Sequence, residues 1–107
     1  STGGLSPLQK IALGPGYQLP FAARIRAATG LPTIAVGLIT EAEQAEAIVA
    51  TGQADLVGVA RAMLYEPRWP WHAAARLGAR VDAAPQFWRC QPRGQADLFS
   101  GARIGQR

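Results

Sequence analysis

A glycine that ends one apolar run and an arginine that ends the next are the residues of this sequence best placed to do chemistry. Gly37 closes "PTIAVG", and Ala60-Arg61 closes "DLVGVA". A glycine at a strand end lets a ligand approach its backbone N–H. Alanine is nearly as small, and an arginine opening a helical turn combines free N–H groups with a fork-shaped cation. That combination suits a phosphate dianion. Spacing alone leaves a second reading equally open, in which Arg61 closes a barrel rim through a salt bridge.

Other chemistry-bearing side chains are sparse. Cys90 stands alone, which excludes a disulfide framework and a cysteine metal pair and leaves a free thiol. His72 has no companion at ligand spacing and reads as a solvent-facing helical histidine, so no metal site is expected. The formal charge is +4, from 11 Lys and Arg against 7 Asp and Glu. The arginines are scattered and form no basic stripe with aromatics, so nucleic acid is not the expected partner. No apolar run is long enough to span a membrane. "STGGLSPLQK" lacks the regions of a signal peptide and reads as an interior loop, so a cytoplasmic location is expected.

The elements that must position Gly37 and Arg61 follow from the pattern. "PTIAVG" (32–37) and "DLVGVA" (55–60) read as strands buried on both faces. Between them, "TEAEQAEAIVATG" reads as a helix with a Thr40/Glu43 capping box and an Ala45, Ile48, Val49 stripe, closed by Gly52. Strand, helix and strand make one βαβ unit, and parallel strands bring both strand ends to one rim. Upstream, "LPFAARIRAATG" reads as a helix with a Phe21, Ile25, Ala28 face, and with Arg24 and Arg26 in solvent. Downstream, "YEPRWPWHAAARLG" reads as a helix whose Trp71, Ala74 and Leu77 face the sheet. Trp69 and Trp71 read as packing residues. The stretch from Pro92 onward has weak periodicity and reads as a partly ordered tail.

Two parallel strands leave bare edges and uncovered apolar surface. A closed (β/α)8 barrel takes about 250 residues, and this sequence has 107 with 49% hydrophobic residues. The expectation is an α/β chain forming the carboxyl-terminal quarter of such a barrel over residues 1–85, about strands seven and eight with flanking helices. Residues 86–107 would be the tail.

"STGGLSP", "GPGYQLPFAARIRAATGLPTIAVGLIT" and "ADLVGVARAMLYEPRWPWHAAARLG" together resemble the carboxyl-terminal part of the Old Yellow Enzyme family, in its bacterial branch containing the xenobiotic reductases. The resemblance covers about residues 1 to 90. It implies a (β/α)8 barrel carrying non-covalent FMN, with "STGG" ending strand six, "IAVGLIT" forming strand seven with its loop, and "LVGVARAML" running from strand eight into a phosphate-binding turn. Val36, Gly37 and Leu38 would meet the FMN phosphate and ring edge through their backbone. Arg61 would be the phosphate arginine with Ala60 beside it, where family members commonly have Gly-Arg.

The same resemblance places Arg89, in "PQFWRCQ", in the active site of a neighbouring subunit and so implies a homo-oligomer. From the residues alone, Arg89 is as readily a solvated arginine on a loose tail. The implied reaction is reduction of an activated C=C bond: NAD(P)H reduces FMN, and hydride then passes to the β-carbon of an enone. The family's carbonyl-binding His/His or His/Asn pair and its proton-donating tyrosine would lie upstream. His72, Tyr17 and Tyr65 do not match them, so no catalytic residue is expected in this stretch, which would need the remaining barrel as partner. Two alternatives stand beside this: another FMN-phosphate barrel of dihydroorotate or dihydrouridine type, and a truncated, inactive fragment associating through its sheet edges.

Overall fold

The structure is a computed structural model that describes residues 2–102. The expectations that fall on residues 103–107, the end of the tail, lie outside the described residues. The chain divides into two compact units, Ser1–Glu66 and Pro67–Arg107.

The first unit begins with helix α1, Leu19–Thr29, whose first turn holds Pro20, where the missing N–H costs nothing. Strand β1, Ile34–Ala35, helix α2, Ala42–Ala50, and strand β2, Leu56–Val57, follow, and helix α3, Arg61–Tyr65, closes the unit. The strands pair in parallel with Ile34 opposite Leu56 and Ala35 opposite Val57. The expected βαβ unit is therefore present, but each strand is two residues long rather than six. The ladder stops on one side at Gly37, where the backbone swings to φ 106° and leaves the extended region.

The sheet is covered on one face only. Ala35 is fully buried, whereas its neighbour Ile34 and the opposing Leu56 are 58% and 59% exposed. Within this chain alone, the strands expected to be buried on both faces are covered on one. The core of the unit is built from Ala35, Ile39, Ala42, Ala45, Ile48 and Ala54. Helix α2 contributes Ala42, Ala45 and Ile48, spaced three apart on one face, and Val49 turns outward. Its N-cap is Glu41 rather than Thr40, and Gln44 reaches back to accept a hydrogen bond from the Thr40 N–H at 3.1 Å.

Arg26 departs most from expectation. Its Nε donates to both Asp55 carboxylate oxygens at 3.1 and 3.2 Å, and its Nη1 donates to the Gly52 carbonyl at 2.8 Å. Asp55 in turn accepts the Thr33 N–H at 2.8 Å. One guanidinium thus ties α1 to the start of β2 and, through Asp55, to the residue before β1. The Phe21 and Ile25 face of α1 stays about half exposed.

The second unit holds helix α4, Trp69–Leu77, and a 3-10 helix, Pro85–Cys90. Pro67 precedes α4 and Pro70 sits in its first turn, so the helix expected over 65–78 begins only at Trp69, after α3 has ended at Tyr65. Trp71 and Ala74 pack on Ala83, Leu98 and Phe99, two of which come from the weakly periodic stretch. Val81 and Phe99 form an isolated parallel bridge. No helix among the described residues is long and apolar enough to cross a membrane.

Candidate functional site

The carboxyl ends of β1 and β2 enclose a cleft of about 410 Å³ within the first unit. Val36, Gly37 and Leu38 enter it from β1, and Gly58, Ala60 and Arg61 from β2 and the head of α3. Gly37, Ala60 and Arg61, and the Val36 and Leu38 that the resemblance adds, therefore line one cavity. Parallel pairing produces this, because residues following two parallel strands emerge on the same side.

The turn after β1 is unusual in its backbone. Gly37 has φ 106°, and Leu38 follows with φ 51°, the only non-glycine residue with positive φ among those described. A leucine persists in the left-handed region only where its surroundings hold it there. Here both carbonyls of the turn are tied back: Gly37 O accepts the Gly16 N–H at 2.8 Å, and Leu38 O accepts Gln44 Nε2 at 3.1 Å. The N–H groups of Leu38 and Ile39 meet no acceptor among the described residues.

Two side-chain-free positions shape the walls. A β-carbon on Gly37 would stand 2.9 Å from Cε1 of Tyr17, and one on Gly58 would stand 3.0 Å from Cγ1 of Val36. The space beside Gly37 is thus filled by the Tyr17 ring rather than left open. Tyr17 and Gln18 both line the cleft. Gln18 is buried, donates from Nε2 to the Tyr17 hydroxyl at 2.8 Å, and accepts the Thr2 N–H on Oε1 at 2.9 Å. Sequence reasoning noted "GPGYQ" without giving Tyr17 a place at the site. The two glycines just before the tyrosine were the available signal.

The electrostatics favour an anion. Arg61 lines the cleft, and no carboxylate does among the described residues. The Arg61 guanidinium is exposed and has no ion-pair partner among the described residues. A guanidinium and two backbone amides that meet no protein partner among the described residues fit a doubly charged phosphate group.

Arg89 lies in the second unit, exposed on the 3-10 helix. The free thiol of Cys90 is exposed. His72 is exposed on α4 and borders a second cleft of about 370 Å³, where the Arg68 guanidinium stacks 4.4 Å from the Trp71 ring centre and 4.6 Å from that of Phe87. No group of His, Cys, Asp and Glu that could hold a metal ion occurs among the described residues.

Comparison with known proteins gives a consistent result. The NADPH dehydrogenase of Geobacillus thermodenitrificans is 47% identical over 89 residues, which cover 83% of this chain and 26% of that protein. The NADPH dehydrogenases of Bacillus licheniformis and Listeria innocua are 45% and 44% identical over the same 83% of the chain and 26% of their own length. The chain thus spans about a quarter of the length of the curated relatives it matches. A family model described as NADH:flavin oxidoreductase / NADH oxidase matches residues 10–79, which include the whole βαβ unit and the cleft at its strand ends. By that match, this chain belongs to the NADH:flavin oxidoreductase / NADH oxidase family.

Proposed function

We propose that this chain supplies the FMN-phosphate subsite of an NAD(P)H oxidoreductase that reduces activated C=C bonds such as enones. The observation that carries the proposal is the meeting of Arg61 with the Gly37–Leu38 turn on one cleft that contains no carboxylate among the described residues. Charge-assisted hydrogen bonds from a fork-shaped guanidinium are roughly twice as strong as neutral ones, and backbone amides add directionality. Arg61 would take two phosphate oxygens, and the amides of the turn would take the others. Val36 and Leu38 would lie along the ring edge, and Ala60 beside the phosphate.

FMN, when bound, supplies hydride acceptance from NAD(P)H and delivery to the substrate carbon. This chain's own part is to hold the cofactor's charged end, so that the reactive ring is placed by the rest of the barrel. The chain would be strands seven and eight of that barrel, and the half-exposed Ile34 and Leu56 face fits a sheet that continues beyond these two strands. Family membership and the NADPH dehydrogenase names of the relatives support the choice of NAD(P)H. Arg89, exposed on its short helix, is the residue we assign to the substrate site of a neighbouring subunit in a homo-oligomer.

The test uses the protein expressed from its own gene. It should purify yellow, bleach anaerobically on addition of NADPH, and regain its colour with cyclohexenone. A protein that binds no flavin, or whose bleached form is indifferent to the enone while oxygen restores the colour, would refute the reading.

A further inference from the structure

We infer that Tyr17 is a positioning residue for the phosphate-bearing cofactor: its ring wedges the Gly37–Leu38 turn into the one conformation that leaves the turn's amides unclaimed. The inference rests on the reading of the cleft as an FMN-phosphate subsite and adds a residue that neither strand supplies.

The argument begins with the peptide plane. In a trans peptide the C=O of one residue and the N–H of the next point in opposite directions. Tying Gly37 O to the Gly16 N–H at 2.8 Å therefore turns the Leu38 N–H away from the 14–18 loop. Tying Leu38 O to Gln44 at 3.1 Å turns the Ile39 N–H away from α2. Both amides lack an acceptor among the described residues, and both residues line the cleft.

Such a turn is costly. A non-glycine residue in a sparsely populated region survives only where the surroundings over-determine it. Gln44 and Gly16 hold the two carbonyls, and the side of Gly37, the freest residue of the turn, is walled by a third residue. That residue is Tyr17: its Cε1 and Cδ1 lie 2.9 and 3.0 Å from where a Gly37 β-carbon would be, so the ring occupies the space beside Gly37 that a side chain would need. The ring is itself latched, because its hydroxyl accepts from Gln18 Nε2 at 2.8 Å and buried Gln18 is held by the Thr2 N–H at 2.9 Å. The chain of contacts runs from Thr2 through Gln18 and Tyr17 to the turn, and ends at the amides.

The test is FMN titration of the cofactor-free protein expressed from its own gene, followed by flavin fluorescence. Tyr17→Ala should weaken FMN binding by about tenfold or more, and Tyr17→Phe, which keeps the ring but loses its latch to Gln18, should weaken it by clearly less than Tyr17→Ala. A purely structural loss would lower the denaturation midpoint of the cofactor-free protein in proportion, whereas a positioning role moves the dissociation constant more than the midpoint. Because Tyr17 acts through Gly37, the fold-losses of Tyr17→Ala and Gly37→Ala should fail to multiply in the double variant. If Tyr17→Ala does not fold, Tyr17→Leu replaces it in both comparisons with the same expected results. The inference is overturned if removal of the ring leaves the FMN affinity within twofold while Arg61→Ala loses it, or if the two single losses multiply. If the native protein binds no FMN, or Arg61→Ala binds it as tightly as the native protein, the subsite reading itself fails, and this inference falls with it.

Discussion

The ring of Tyr17 fills the space that a side chain on Gly37 would need, with 2.9 Å between Cε1 and the position of a β-carbon there. A glycine at this strand end therefore serves two demands at once, a φ of 106° and a close aromatic neighbour. Gly37→Ala must strain the backbone and displace a ring latched by Gln18. We expect it to destabilise the cofactor-free protein by about 1–3 kcal/mol, read as a lower urea midpoint at unchanged slope.

Arg26 and Asp55 give a pH signature. The Arg26 guanidinium, then the Thr33 N–H, hold the Asp55 carboxyl below its ordinary range. A carboxyl whose native pKa is depressed binds fewer protons folded than unfolded, so its contribution is present above the unfolded value, about 3.9, and is lost as pH falls through the native one. Asp55→Asn keeps an acceptor for Thr33 but no charge. Between about pH 5 and pH 3 the native protein should lose more stability than the Asn variant, measured by urea midpoints at each pH. Parallel curves would remove Asp55 from the account.

The second unit rests on Trp71. Its ring stands edge-on to Phe99 at 4.9 Å and to Phe87 at 5.5 Å, and Arg68 stacks over it. Trp71→Ala should destabilise this unit by about 2–4 kcal/mol, less than a fully buried tryptophan would because Trp71 is half-buried. Protection of the Val81 and Ser100 amides, which bridge to Leu98 and Val81 carbonyls, should fall in hydrogen exchange.

What the sequence disclosed follows from what pattern encodes. The βαβ order and the shared rim of Gly37 and Arg61 were legible, because apolar runs, helical spacing and parallel pairing are local or nearly so. Arg26 was read as solvated, because its partner Asp55 lies far along the chain and periodicity carries no trace of a long-range ion pair. Strand length was overstated: an apolar run marks residues able to pair, not where a turn such as Gly37–Leu38 ends the ladder. Leu98 and Phe99 were missed as core residues because they reach it from a turn and an isolated bridge, which impose no repeat. The packing of Tyr17 beside the turn was not legible, because it depends on the absence of an atom at Gly37.

The central claim is that this cleft holds a phosphate, and comparing FMN with riboflavin tests it directly. The two differ only in the phosphate group. The protein expressed from its own gene should bind FMN at least about a hundredfold more tightly than riboflavin, and Arg61→Ala should erase most of that difference by weakening FMN alone. Equal affinity for the two flavins, or an undiminished gap in Arg61→Ala, would contradict the account.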